Sequence, residues 1–379
     1  MYRVGFIIEQ ALGHITHGQN LRHFVEQDPS LDAHWGLPAW QRTGLASRLP
    51  VYRSNWTLQA GLQTRRMLGA MQRQSRPQAL FFHTQVTATL APDWLRRIPS
   101  IVSLDATPRQ YDRLGDAYHH AAGPDWLEQA KWWLSRRCFR LARRLVTWSE
   151  WTRQGLVDEY AVPAEKTTVI PPGVDTQAFG PPTCGAKPEG PLKILFVGGD
   201  YERKGGRVLL EAFRRVRQSV AAGLPLAEPA QDMELHVVTR DKVPPEPRVV
   251  VHTGLGPNDA TLRQLYHECD VFCLPTLADC LPMVLMEAGA AGLPLIATDL
   301  AAIPEIVHDG HTGLLVPPGD PVALSRALGR LVVDRPLRLA LGSGALELVR
   351  RQFDAKTNAQ RLLELIKNLV DQEVPEIKP

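Results

Sequence analysis

The stretch TLADCLPMVLMEAGAAGLPLIATDLAAIPEIVHDGHTGLLVPPGD, Thr276–Asp320, decides the reading of this chain. Two carboxylates in it, Asp279 and Glu287, stand eight positions apart. Pro282 between them suits the first turn of a helix, where a missing N–H costs nothing. Met283 to Ala288 read as helical, and Gly289 and Gly292 as the end of the segment. The start of such a helix, at Met283 and Val284, leaves backbone N–H groups without intrahelical partners and carries the positive end of the helix dipole. That is a seat for a phosphate. Asp279 just ahead of the helix and Glu287 one to two turns into it can flank a phosphate ester and accept hydrogen bonds from its hydroxyls. A nucleotide sugar needs both features: donors for the diphosphate and acceptors for ribose and hexose hydroxyls.

Upstream, the apolar run Lys193–Val197 leads into GGDYERKGG, residues 198–206. A strand, then glycines, then a helix from about Gly206 lets backbone approach a phosphate closely. Gly198 and Gly199 open that loop, and Arg203 and Lys204 close it with two cations fit to neutralise a diphosphate. Near the N-terminus, Ile8 runs into EQALGHITHGQNLRHF. There Gly13 and Gly18 are expected to bracket a loop, ahead of a helix with Leu21 and Phe24 on one face. This is not the GxGxxG dinucleotide fingerprint, and no acid follows at the right place. His14 and His17 are candidates for substrate contact, with helix capping or a surface role as open alternatives.

Short apolar runs alternate with helical stretches along the chain. Candidate strands are Val4–Ile8, Ala79–His83, Ser100–Leu104, Arg144–Trp148, Thr168–Ile170, Lys193–Val197, Glu234–Thr239, Val249–His252, Val271–Leu274 and Leu295–Thr298. Most are continuous rather than alternating, as expected of parallel strands covered on both faces. The class is therefore α/β, with βαβ units. His83 and Asp105 end two of these strands, where ligands of open α/β sheets collect. An Asx turn with Thr107 is the alternative for Asp105, and an N-cap suffices to explain Ser149.

A length of 379 residues makes two domains the natural expectation. The segment 171–192 holds six prolines and four glycines, the composition of a linker. The net charge of +3 is unevenly divided: residues 1–180 carry 21 Lys and Arg against 15 Asp and Glu, the remainder 22 against 25. The two halves should therefore meet different partners. Five cysteines without a CxxC pair point to reduced thiols and a cytoplasmic setting, and Cys269 and Cys273 lack a histidine pattern that would complete a zinc site. The N-terminus reads as a first strand rather than a signal peptide, and no run of eighteen apolar residues offers a spanning helix. Residues 126–144, WLEQAKWWLSRRCFRLARR, form a helix with an aromatic–apolar side and an arginine side. Such a helix either packs on the core with a solvated arginine face or lies on an anionic membrane, in which case the protein sits at the inner membrane surface. No nucleic-acid module accompanies the charge.

The segment around Asp279 and Glu287 resembles the nucleotide-binding core of the retaining glycosyltransferases of family 4, which have the GT-B fold. That family carries two Glu separated by seven residues, then small residues and a Gly-Leu-Pro strand entry. Here the first acid is the shorter Asp279. The family's loop usually has an Arg directly after its first Gly; here Gly199 stands there and Arg203 is the substitute. Glu305 and the run TGLLVPPGD, residues 312–320, also match, and the likeness is strong over residues 140–325 and weak before them. A histidine found in many members just before the position of Asp105 is Leu104 here.

The resemblance implies two Rossmann-like doubly wound domains facing across a cleft. The first would be residues 1–175 with 355–379, because a C-terminal helix crosses back, and the second 190–354, with 176–189 as linker. It implies hexosyl transfer, with retention, from a nucleoside diphosphate sugar such as a UDP- or GDP-sugar to a hydroxyl of a glycan, lipid-linked or small-molecule acceptor. Gly13, Gly198, Gly199, Arg203, Lys204, Met283, Val284 and Glu287 would hold the donor, and Arg203, Lys204, Asp279 and Asp105 would serve the reaction. No cofactor or metal is expected beyond the donor substrate. A sugar-nucleotide epimerase and an inactive nucleotide-sugar-binding protein are the alternatives.

Overall fold

The computed structural model describes residues 1–11, 13–40, 52, 55–115, 123–181, 190–221 and 233–373. The expected linker 176–189 therefore lies largely outside the described residues, and Cys184 wholly so. The chain divides into two compact units: the described residues of Met1–Gly115, His120–Pro172 and Ala355–Pro379 form one, and those of Gly173–Asp354 the other.

The first unit is built on β1 (Tyr2–Ile8), β2 (Leu31–Gly36), β3 (Ala79–His83), β4 (Ser100–Leu104), β5 (Arg144–Thr147) and β6 (Thr167–Val169). Their order is β2-β1-β3-β4-β5-β6, and every pair is parallel. β3 and β4 are buried at every position, which is why they read as unbroken runs. The sheet's alternation sorts its two cores. Val4, Phe6 and Ile8 join Leu21 and Val25 on one face, while Ile7 joins Leu68, Met71 and Phe82 on the other.

The second unit is built on β7 (Leu192–Val197), β8 (Met233–Val238), β9 (Val249–His252), β10 (Val271–Leu274), β11 (Leu295–Thr298) and β12 (Gly313–Val316). Their order is β12-β11-β10-β7-β8-β9, again all parallel. The chain then returns to the first unit. The helix Ala355–Glu373 lays Leu362, Leu363 and Ile366 against Val4 and Phe6, and Lys367 Nζ reaches Asp28 Oδ2 at 2.6 Å.

Two strands, β2 and β12, escape a sequence reading, and both are sheet edges. β2 is LDAHWG, half-buried along most of its length, so it has no apolar run to betray it. Gly18 lies inside the helix His14–Val25 rather than in a loop. A Cβ there would come within 2.9 Å of Ile8 Cγ2, so the glycine lets this helix ride close on β1. Gly289 likewise lies inside the helix Met283–Ala290, where a Cβ would meet Val349 at 2.8 Å; Gly292, with φ at +77°, marks the true end.

The basic helix runs Asp125–Leu141, so Arg144 belongs to β5 instead. It buries Cys138 and Phe139 in the core. Trp132 packs between the guanidinium groups of Arg109 and Arg136, while Trp126 and Trp133 face solvent. Among the described residues no helix is long and apolar enough to cross a membrane.

Each strand order reverses once, between β1 and β3 in the first sheet and between β7 and β10 in the second. Loops leaving the carboxyl ends of those strands diverge to opposite sides, and the crevice left between them is where open α/β sheets bind ligands.

Candidate functional site

At the reversal of the second sheet, the loop after β7 is stitched to the loop after β10. Leu277 N–H donates to Arg203 O at 2.8 Å, and Arg203 Nη1 donates to Ala278 O at 2.8 Å. Gly205 makes this approach feasible: its φ is +79°, and a Cβ there would lie 1.9 Å from Pro275 O. A Cβ on Gly198 would stand 2.9 Å from Lys204 Cβ, so that glycine lets the lysine fold back over the loop.

Lys204 Nζ makes an ion pair with Asp279 Oδ2, and Asp279 Oδ1 accepts from Cys280 N at 3.1 Å. Arg203 Nε pairs with Asp200 Oδ2 at 3.1 Å. Thus Arg203, Lys204 and Asp279, chosen from sequence for their types, form one charged cluster. Directly after it the helix Met283–Ala290 begins with Pro282 as an N-cap that offers no side-chain bond. The N–H groups of Met283 and Val284 find no acceptor among the described residues. The fold therefore leaves donors open at this helix start, the geometry that suits an anion.

Glu287 sits one turn further on and is turned inward, where Tyr266 Oη donates to its Oε2 at 2.7 Å. Burial pushes its carboxyl up to about 7, and the Tyr266 hydrogen bond resists part of that rise. The same burial, together with the Glu287 charge, drives the Tyr266 phenol well above its usual range. Tyr266 had no signal in the sequence, because the helix Ala260–Glu268 reads as ordinary amphipathic packing. Glu305 lies half-buried in the short helical turn Ile303–Glu305.

At the reversal of the first sheet, β1, β3 and β4 end in a cluster of ionisable groups and rings. His14 opens the helix His14–Val25 after Gly13, beside whose Cβ position there is open space. Its Nδ1 lies 2.5 Å from Glu9 Oε1 and its Nε2 3.3 Å from Asp105 Oδ2. Trp56 Nε1 donates to the other Glu9 oxygen at 3.2 Å. His83 stacks on Trp148 at 4.8 Å, and His14 and His17 both lie against His83.

Burial works against charge on His14, but Asp105 and Glu9 outweigh it and push the imidazole up to about 10. Burial also opposes charge on Asp105, yet the His14 cation and backbone N–H groups hold its carboxyl below the usual range. His17 goes the other way, down to about 3, through burial and the neighbouring His14 charge. His83 is lowered well below its usual value for the same reasons. The Nε2 atoms of both are buried without a hydrogen-bond partner. No Asx turn forms from Asp105 to Thr107, because Thr107 N–H donates to Gln110 Oε1 at 3.0 Å; Thr107 caps the next helix itself, through a capping box with Gln110. Ser149 caps the helix Glu150–Tyr160, accepting from Thr152 N at 3.1 Å.

Glu9, Trp56 and Trp148 were not singled out from the sequence. Glu9 was findable by the rule that picked His83 and Asp105, as a polar residue directly after a strand. Among the described residues no group of three His, Cys, Asp or Glu side chains is placed to hold a metal ion.

Two family models match the chain: Glycosyltransferase Family 4 over residues 15–178 and Glycosyl transferases group 1 over residues 191–334. An MMP alpha-(1->4)-mannosyltransferase of Mycolicibacterium hassiacum is 32% identical over 236 residues, which cover 55% of this chain and 53% of that protein. The chain thus spans about half the length of this curated relative. Among solved structures, a sucrose-phosphate synthase of Thermosynechococcus elongatus superposes with a TM-score of 0.75 at 16% identity, over 98% of this chain and all of that one. HepE of Anabaena, crystallised with UDP and glucose, follows with a TM-score of 0.69 at 14% identity, over 97% of this chain and 100% of that one.

Proposed function

We propose, from the premise that this chain belongs to the group 1, family 4 glycosyltransferases with the GT-B fold, that it transfers a hexosyl group from a nucleoside diphosphate sugar to an acceptor hydroxyl. The observation that carries this reading is the ion pair of Lys204 and Asp279, set between a glycine loop and a free helix N-terminus at the reversal of the second sheet. Lys204 and the N–H groups of Met283 and Val284 meet the departing diphosphate, with Arg203 beside them. The backbone of Gly198 and Gly199 lies in the loop beside it. Asp279 and the carboxylate of Glu287 accept from hexose and ribose hydroxyls respectively.

In the first unit, Asp105 with His14 and Glu9 offers fixed charges to orient an acceptor hydroxyl. That hydroxyl oxygen forms the new bond to the anomeric carbon. The bond from that carbon to the diphosphate oxygen breaks, and the leaving phosphate takes both the electron pair and the acceptor's proton. Attack on the face the diphosphate leaves retains the anomeric configuration. The negative charge is met by side chains and backbone, so the reading calls for no metal ion. The acceptor belongs to cell-surface glycan or glycolipid synthesis. Trp126 and Trp133, exposed on a helix that also carries Arg137 beside Trp133, support contact with a membrane surface there.

Calorimetry with UDP, GDP, ADP and their sugar conjugates tests the reading. One diphosphate should bind in the micromolar range, and Lys204→Ala should lower transfer by about 100-fold with the fold intact. Near-normal transfer in that variant would remove Lys204 from the reaction. Failure of every nucleotide to bind would remove the reading itself.

A further inference from the structure

The cations named so far are spoken for within the protein: Arg203 pairs with Asp200, and Lys204 with Asp279. Another cation lies beside the same loop and was not read from the sequence. β7 and β8 are parallel neighbours, with Val197 opposite Val238, and Gly198 N–H donates to Val238 O at 2.9 Å. Two residues beyond the end of each strand, Gly199 and Arg240 therefore come side by side. A Cβ at Gly199 would stand 3.6 Å from Arg240 Nε and 3.8 Å from its Cζ.

Arg240 is exposed, and its guanidinium makes no hydrogen bond or ion pair with any described residue. Its backbone is nevertheless fixed relative to the loop, because the next residue, Asp241, accepts from Tyr201 N at 2.7 Å.

Gly199 differs from the other glycines of the loop. Gly198 and Gly205 are required by contacts of 2.9 and 1.9 Å that any Cβ would make. Gly199 has no positive φ and meets nothing nearer than the arginine, so its backbone does not demand glycine. What the missing side chain does is leave the mouth of the loop to the guanidinium.

We infer that Arg240 is a diphosphate ligand of the donor site, reaching over Gly199 from the neighbouring strand to bind the phosphates of the nucleoside diphosphate. This rests on the donor-site reading above. A planar guanidinium with five N–H donors suits two phosphate oxygens at once, and a charge unpaired among the described residues adds attraction that the paired cations have partly spent on their own carboxylates.

Calorimetry with UDP, GDP, uridine and guanosine on wild type, Arg240→Ala, Lys204→Ala and the double variant Arg240→Ala/Gly199→Arg decides it. Arg240→Ala should weaken the diphosphate by about tenfold or more and leave the uncharged nucleoside unchanged. Gly199→Arg, which returns a guanidinium to the same mouth from the other strand, should recover most of that loss. Wild-type affinity for the diphosphate in Arg240→Ala, with binding still lost in Lys204→Ala, overturns this inference and leaves the donor site standing. Equal weakening of nucleoside and diphosphate also overturns it, since that marks a role in shaping the loop. No diphosphate binding by the wild type overturns both readings together.

Discussion

The two sheets reverse their strand order at equivalent places, yet what stands there is opposite in kind. In the second unit the reversal is lined by glycines, cations and N–H groups unpartnered among the described residues, an arrangement suited to an anion. In the first unit the reversal is filled by the protein's own charges and rings: a histidine between two carboxylates, with two further histidines packed against Trp148. Topology decides where a site forms, and side-chain volume decides whether it is left for a ligand or closed on itself. A phosphate is the same in every nucleotide and can be met by backbone, whereas acceptor hydroxyls differ and have to be met by side chains.

The largest effect that would break this contrast is expected in the first unit. His14→Ala leaves the buried Glu9 and the half-buried Asp105 without the cation between them. Removal of one partner from a buried charge pair costs roughly 3–5 kcal/mol. Chemical denaturation should therefore show the first unit strongly destabilised, while nucleotide affinity, assigned to the second unit by the proposed function, stays within about twofold for the molecules that remain folded. A parallel loss of nucleotide affinity would refute the separation.

Next in size is Gly205→Ala. A left-handed φ costs a residue with a Cβ about 1–2 kcal/mol, and forcing that Cβ against Pro275 O adds roughly 1–3 kcal/mol. The midpoint of unfolding should fall and nucleotide binding should weaken with it, because the loop can no longer lie on the loop after β10. Gly199→Ala at the same loop should change stability little, and a large loss there would contradict the distinction between the two glycines.

Acid should act on the histidine cluster of the first unit. His17, lowered to about 3, and His83, lowered well below its usual value, are neutral in the fold and take up protons on unfolding. Their contribution is complete above pH 6.5 and is lost as pH falls below it, at about 1.4 kcal/mol per pH unit for each histidine. His14, raised to about 10, is protonated in both states below 6.5 and adds no slope there; its own contribution is lost as pH rises from 6.5 through 10. Stability measured from pH 7 to 4 should therefore decline, and His17→Gln should flatten the decline.

The smallest effect is expected from Tyr266→Phe, which strips one hydrogen bond from Glu287 and costs about 1–2 kcal/mol. The carboxyl, already raised to about 7, should rise further. A raised carboxyl favours the fold when protonated, so the loss of stability now complete by about pH 7 should extend to higher pH. Nucleotide affinity at pH 7 should drop a few-fold and recover at pH 8. An unchanged pH profile would show that Glu287 does not contact the nucleotide.

What the sequence determined by itself is local. Continuous apolar runs announced the buried strands, glycines beside Arg203 and Lys204 announced a tight loop after β7, and the spacing of Asp279 and Glu287 around a proline announced the helix start that follows them. Each of these signals lies within a few residues of the feature it predicts. The edge strand β2 was not legible, because a strand half-covered at a sheet's margin needs no apolar run; β12 is an apolar run of only four residues, too short to announce itself.

Only the tertiary structure decided which charges meet. Lys204 and Asp279 are 75 residues apart in the chain, and His14 and Asp105 are 91 apart. Glu287 was readable as an acid on a helix, but its inward turn onto Tyr266 depends on how two helices pack. Arg240 beside Gly199 follows from parallel register alone. Local pattern specifies elements because backbone propensity and burial act over a turn or a strand. Pairing of side chains across elements is set by strand order, and strand order leaves no mark at any one position in the sequence.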